Sequence, residues 1–486
     1  MPEFNAKQAF TAAMQHHQAG RIAEAEALYR QVIAKQPRNG DALHLLGLLL
    51  IHRGDAAGSI EPFSRAVAAS PQNGDFRYDL GVALAAVGRA DEAAVEYHKA
   101  INLRPDLPGA YANLGTILVA QGKPEEALEM LEKARAKFPA NAQVINNLGN
   151  AYRDLGRIDG AVAMYRQASA LVPTEPLLRW NLAIALLLQG NFAEGWPGYV
   201  YRHEAEKAPT VLNLNQPMWD GSSLAGRGIL LYTNQGLGDI IQCARFFPSL
   251  AAQGARVIVG LTGPQAALRP LLSGQCGITQ VVTDNDTFPP IDFQCLLDRL
   301  PAMYGVTPQQ LPGPVPYLRA DAARAAQWQQ RLAGDPRPKI GLAWAGNPGH
   351  AKDMYRSIRP ELLTPLAQVP NVRWISLQKS AAGNAPPELN MIDWTAELND
   401  LADTAALIAN LDLVLTVDTS VAHLAGAMGK PVWTMIQYSP DWRWMLNRSD
   451  TPWYPTMRLF RQPALRDWGS VIQTVTKQLT AVRGVS

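Results

Sequence analysis

The sequence predicts two architectures in series: an all-α superhelix of stacked helix pairs, then an α/β region of two parallel-sheet halves. Three observations predict it. Glycine and proline recur in phase every 34 residues through the first half. From Arg227 the rhythm changes to short apolar runs alternating with helical stretches. A break at Gly334-Asp335-Pro336-Arg337-Pro338 restarts that second rhythm. At 486 residues the length suits several domains of about 150 residues each.

The repeat is carried by four registers. Glycine stands at Gly20, Gly54, Gly88, Gly122, Gly156 and Gly190, and proline at Pro37, Pro71, Pro105, Pro139 and Pro173. A second glycine series runs Gly47, Gly81, Gly115, Gly149, with Ala183 next. Large residues hold the fourth: Tyr29, Phe63, Tyr97, Leu131, Tyr165 and Tyr199. Chance does not keep four registers in phase. The first glycine series fits a turn between helices. Each proline closes a second helix, because the residue before it disfavours α geometry. The second series lets two helices approach closely. A helix pair cannot bury its apolar face alone, so neighbours stack. The period and pattern resemble the tetratricopeptide repeat, which implies six repeats over residues 1–205, with Lys207 where a sixth closing proline would stand. Two residues before the second glycine series lie Leu45, Asp79, Asn113, Asn147 and Asn181. The column resembles the asparagine ladder of protein O-GlcNAc transferases. That resemblance implies peptide binding by Asp79, Asn113, Asn147 and Asn181, since an amide donates to and accepts from a backbone at once. The plainer reading is that Asn tolerates exposed helix positions.

Composition narrows the function classes. Hydrophobic residues make up 47% and charged residues 18%, enough for a large core and against disorder. A net charge of +2 without a long basic run gives no nucleic-acid footprint. Cys243, Cys276 and Cys295 fit neither a disulfide framework nor a zinc cluster, which suits a reducing compartment. MPEFNAKQAF carries no signal-peptide pattern, and no apolar run reaches about 18 residues. The expectation is a cytoplasmic protein without a transmembrane segment.

In the second half the elements follow in order. A strand over Gly228–Tyr232 leads through a glycine turn into a helix over Ile240–Gln253, then a strand over Arg256–Leu261 and a helix from Pro264. Val281-Val282 and Phe293–Leu297 read as further strands. After the break come strand Lys339–Trp344, helix Pro360–Ala367, strand Val372–Leu377, helix Leu401–Ala409, strand Leu413–Val417, helix Val421–Met428 and strand Val432–Ile436. Ligands in such sheets bind at the carboxyl ends of strands.

Asp418-Thr419-Ser420-Val421-Ala422-His423-Leu424-Ala425-Gly426-Ala427-Met428-Gly429-Lys430-Pro431 is the sharpest motif. A strand ends at Val417 and a helix opens at Thr419 and Ser420, so free backbone N–H groups there suit a diphosphate. Asp418 can accept from sugar hydroxyls, and His423 lies one turn in. The competing reading is ordinary capping plus a core histidine. The whole run resembles the donor-binding loop of heptosyltransferase-like glycosyltransferases. Gly236-Leu237-Gly238-Asp239 resembles the Gly-Asp after that family's first strand. The resemblance makes Asp239 the general base of an inverting transfer, against a routine N-cap. Trp344-Ala345-Gly346-Asn347 through Lys352 and Arg356-Ser357 resembles the family's phosphate-neutralising loop. Arg356 leads there because a guanidinium grips phosphate bidentately; Lys352, Asn347 and Ser357 follow, and a solvated basic loop is the alternative. Gln378, at a strand end, is expected to touch the nucleotide. The aromatic, Arg-bearing stretches Tyr438–Trp444 and Trp453-Tyr454-Pro455 flank an acceptor opening or simply pack. Beyond the repeats and join the histidines are His350 and His423 alone, so no metal site is expected.

These resemblances imply a GT-B architecture: repeats over 1–205, a linker over 206–228, a Rossmann-like acceptor-side domain over 229–335 and a nucleotide-sugar domain over 336–486. The implied activity moves a sugar from a nucleotide-sugar co-substrate, without a cofactor or metal, to Ser or Thr of a protein held by the repeats. Bacterial tetratricopeptide-containing protein glycosyltransferases, flagellin-modifying ones included, share this layout. Two rivals stand beside it: a transferase acting on lipopolysaccharide or another glycan, and a non-enzymatic scaffold. The donor sugar, the acceptor and any homo-oligomer stay open.

Overall fold

The computed structural model describes residues 5–206, 214–350, 353–379 and 383–481. It begins with six helix pairs: Ala6–Gln18 with Ile22–Lys35, Gly40–His52 with Ala56–Ala69, Gly74–Ala86 with Ala90–Leu103, Pro108–Ala120 with Pro124–Lys137, Ala142–Asp154 with Ile158–Leu171, and Pro176–Gln189 with Phe192–Tyr199. The first glycine register makes the turn inside each pair, with φ from +67° at Gly156 to +87° at Gly190, where a side chain would be strained. The second glycine register and the large-residue register prove to be two sides of one contact. A β-carbon at Gly47 would lie 2.6 Å from Phe63, at Gly81 2.7 Å from Tyr97, at Gly115 2.8 Å from Leu131 and at Gly149 2.6 Å from Tyr165. Each large side chain is buried against bare backbone, a burial worth about 1.5–3 kcal/mol apiece. A further 34-residue register, Asn5, Asn39, Asn73 and Asn141, caps first helices by accepting from their opening N–H groups.

By its internal contacts the chain divides into Met1–Thr174 and Glu175–Ser486. The sixth helix pair is therefore part of the second unit, earlier in the chain than the expected boundary at 205. The reason is aromatic. Trp442 meets Phe192, Trp196 and Tyr199 at ring-centroid distances of 6.3, 5.2 and 5.5 Å. The Trp196 indole also donates to the Val306 carbonyl at 2.7 Å.

The second unit holds two parallel sheets. In the first, β1 (Gly228–Tyr232), β2 (Arg256–Leu261), β3 (Ile278–Thr283) and β4 (Phe293–Leu296) run in the order β3-β2-β1-β4. In the second, β5 (Lys339–Ala343), β6 (Arg373–Ser376), β7 (Leu413–Val417), β8 (Val432–Ile436) and β9 (Met457–Arg461) run in the order β6-β5-β7-β8-β9. Both orders reverse beside the first strand of the sheet, at β1/β4 and at β5/β7, the switch points where such sheets bind ligands. Trp219 anchors the join, pairing with Gln294 on β4 and burying its ring. The expected helix over 240–253 is broken. It runs Leu237–Cys243, a 3₁₀ turn Ala244–Phe246, then Phe247–Ala252, because Pro248 cannot continue the first ladder. The segment expected as a helix over 360–367 is a 3₁₀ helix, Pro360–Gln368, with Pro365 inside it. Among the described residues no helix is long and apolar enough to cross a membrane.

Candidate active site

The two halves meet at their switch points. Asp239 lies in the first turn of the Leu237–Cys243 helix, directly after β1. The helix Ser420–Ala427 follows β7. Gly238 lets them touch: a β-carbon there would stand 2.7 Å from His423 Cδ2. His423 is buried, and its Nδ1 shares a 2.8 Å hydrogen bond with the Tyr454 hydroxyl. Burial, reinforced by Arg443, pushes its pKa down to about 4, so the imidazole is neutral at pH 7.

Thr419 caps this helix through its backbone alone: its carbonyl accepts from the Ala422 N–H at 3.0 Å, and its side chain bonds to no helix N–H. Its backbone is extended, with φ −143° and ψ 174°, and its hydroxyl pairs with Thr416 Oγ1 at 3.2 Å. The N–H groups of Ser420 and Val421 consequently have no partner among the described residues, a ready anion site. Beside them Asp418 is raised to about 6 by burial and then by the charge of Asp441; the Trp444 indole, Arg356 and Arg443 oppose the shift. Asp418, Arg356 and the open helix end thus share one electrostatic neighbourhood.

Arg356 lies across Gly346, where a β-carbon would be 2.5 Å from its Nε, and it pairs with Asp353 at 3.0 Å. Ser357 closes the same loop, accepting from the Gly346 N–H at 3.0 Å and donating to Asp353 at 2.8 Å. Asn347 is exposed and accepts from the Gly349 N–H at 2.9 Å. Lys352 lies outside the described residues. Gln378 bonds to the loop after β5. Its Oε1 accepts from the Trp344 and Ala345 N–H groups, both at 2.8 Å, and its Nε2 donates to the Ala345 carbonyl at 3.1 Å. It thereby shapes the loop that carries Asn347.

The peptide ladder also meets other partners. Asn147 is buried, and its amide donates to the Ala112 carbonyl at 2.8 Å and Thr116 Oγ1 at 3.0 Å, tying one repeat to the one before. Asp79 pairs with His44 at 2.6 Å, Asn113 donates to the Tyr97 hydroxyl at 3.2 Å, and Asn181 is buried. Asp79, Asn113 and Asn147 thus each bond to a neighbouring repeat.

Elsewhere in the first sheet's loops Asp284 accepts from the Gly263 N–H, and Asp286 from Thr283 and Arg269. Arg443, which no motif singles out, is central to the site. Its Nη2 donates to Asp239 Oδ1 at 2.5 Å, its Nη1 to Asp441 at 2.9 Å, and its Nε to Gln242. The aromatic stretch around it packs, since Trp444, Trp453 and Tyr454 are all buried. The one sequence signal was an arginine between two tryptophans, Trp442-Arg443-Trp444, in a segment otherwise built for a core.

Comparison with known proteins agrees with both halves of this description. Residues 10–74, 112–176 and 146–208 match the tetratricopeptide repeat, residues 84–122 match the TPR repeat, and residues 388–461 match glycosyltransferase family 9 (heptosyltransferase). Fold and matches point to one class: the chain is similar to tetratricopeptide-repeat proteins over its first part and to family 9 glycosyltransferases over residues 388–461. Among characterised proteins, Protein FlbA of Caulobacter vibrioides is 27% identical over 335 residues, covering 63% of this chain and 55% of that protein. The chain thus spans about half the length of that relative. Solved structures similar to part of it include the MamA protein (23% identity, TM-score 0.33, 35% of this chain and 93% of that one). Another is PilW, a type IV pilus biogenesis factor (18% identity, TM-score 0.36, 42% of this chain and 94% of that one).

Proposed function

We propose that the chain is an inverting glycosyltransferase that moves a sugar from a nucleotide-sugar donor to a hydroxyl of Ser or Thr on a protein acceptor, without a metal ion. The observation that carries the reading is the open helix end at Ser420 and Val421, beside Asp418 and Arg356, abutting the helix that presents Asp239. In this reading the diphosphate sits on those N–H groups and Arg356, and Asp418 receives the sugar hydroxyls. The acceptor oxygen bonds to the anomeric carbon while its proton passes to Asp239. The bond from that carbon to the phosphate oxygen breaks, and the diphosphate leaves with the electron pair. A cation and a helix end stabilise the leaving charge.

Calorimetry with nucleoside diphosphates, followed by transfer assays with the matching sugar donors, tests this. Asp239→Asn is expected to lower kcat by about 10²–10⁴-fold, and Asp418→Ala to weaken donor binding. Full activity in both variants would remove the site. A glycan acceptor is the second reading, favoured by one observation: Asn147 is occupied inside the repeat stack and is not presented to a peptide. Mass spectrometry of cellular proteins with and without this gene separates the two.

A further inference from the structure

Arg443 is placed as few surface arginines are. All three kinds of nitrogen on its fork are engaged: Nη2 on Asp239, Nη1 on Asp441, and Nε on Gln242, one turn along the Asp239 helix. Only 12% of its side chain is exposed. Its guanidinium lies 4.6 Å over the Trp442 ring. That ring is boxed by Phe192, Trp196 and Tyr199 from the sixth helix pair and by Trp453, whose centroid is 5.6 Å away. Asp441 caps the Trp442–Trp444 turn and receives the Arg443 N–H at 3.0 Å, so side chain and backbone of Arg443 are both fixed.

We infer that Arg443 is the positioning residue for Asp239, and that the sixth helix pair serves the transferase site by holding Trp442 beneath that guanidinium. This rests on Asp239 acting as the base. Nη2 takes Oδ1 of Asp239 while Nη1 and Nε anchor the same guanidinium to Asp441 and Gln242, so Oδ1 is held in place and Oδ2 is left to receive the acceptor proton. A planar cation with several donors can hold three partners at once where an ammonium cannot, because lysine offers a point charge without a fork. A base displaced by about 1 Å loses about 10²-fold in rate. The aromatic box explains why helices of repeat pattern belong to the second unit: their ring edges keep Trp442 flat under Arg443.

The test uses the full chain and follows release of nucleoside diphosphate from UDP-N-acetylglucosamine, GDP-mannose and an ADP-linked heptose, with and without acceptor, plus calorimetry with UDP, GDP and ADP. For Arg443→Lys the expectation is a melting temperature near that of the wild type, nucleotide affinity within about twofold, and kcat lower by about 10²-fold. Arg443→Ala is expected to regain at least about tenfold of its lost rate in millimolar methylguanidinium, which a merely structural tie would not show. Should Arg443→Ala fail to fold, Arg443→Lys decides. Trp442→Leu is expected to lower kcat and spare nucleotide affinity. Two results would overturn the inference: Arg443→Lys with kcat within twofold of wild type, or lost nucleotide affinity at unchanged kcat, which would make Arg443 a donor ligand. A wild-type chain that binds none of the nucleotides and releases none overturns the transferase reading itself, and the inference with it.

Discussion

Asp418 and His423 sit five residues apart and respond to acid in opposite directions. The Asp418 carboxyl rises from 3.8 to about 6 on folding. The folded state therefore holds that proton more tightly, and the anion destabilises the fold fully above pH 6 and progressively less as pH falls toward 4. His423 drops from 6.5 to about 4. The unfolded chain takes its proton first, so stability is lost as pH falls through 6.5 toward 4. Asp418→Asn should accordingly stabilise the protein at pH 7.5 by about 1–2 kcal/mol, after discounting for the partial exposure of Asp418, and by almost nothing at pH 4. Urea unfolding at both values checks this. The same variant should lose stability more steeply between pH 6.5 and 4, because only the histidine effect remains. A gain that is equal at both pH values would refute the assignment. That a stabilising change should also weaken donor binding is the usual conflict at a functional carboxylate.

At the scale of the element, the two glycine registers of the repeats do different work and should fail differently. Gly88 takes φ +80° with open space around its α-carbon, so Gly88→Ala is expected to cost about 1 kcal/mol from backbone strain alone. Gly149 receives the Tyr165 ring, and Gly149→Ala should cost about 1–3 kcal/mol by overpacking. Chemical denaturation that ranks them the other way round would show that the helix-on-ring contact is loose. Asn147→Ala removes a buried amide bonded to the preceding repeat, with an expected loss of about 1–2 kcal/mol in stability. Unchanged stability with weakened peptide binding would restore the ladder reading.

For the whole molecule, the division after Thr174 predicts where truncation is tolerated. A chain beginning at residue 175 retains the helices that cover Trp442, and a cooperative thermal transition is expected. One beginning at residue 206 uncovers Trp442 and leaves the Val306 carbonyl without the Trp196 indole. It should aggregate or melt well below the longer chain on size-exclusion chromatography and thermal scanning. Equal behaviour of the two would mean that the sixth pair is an ordinary terminal repeat.

What the sequence determined by itself is periodic or contiguous. A 34-residue phase names the helix pairs, because every pair solves the same packing problem with the same residues. Strands such as Arg256–Leu261 are apolar over their full buried length, Leu413–Val417 is so but for Thr416, and Asp418–Pro431 carries strand end, turn and helix within one stretch. Where proline interrupts a helical pattern, at Pro248 and Pro365, local sequence already opposed the longer helix. Other features depend on residues distant along the chain. Arg443 finds Asp239, Gln378 finds Trp344 and Ala345, and Asn147 finds Ala112 only after folding. A side chain's hydrogen-bond capacity is legible from its chemistry, but its partner is chosen by which groups burial leaves unsatisfied nearby. The sixth helix pair shows the same limit. Its repeat pattern is local, whereas its allegiance to the second unit was decided by three aromatic rings closing on Trp442.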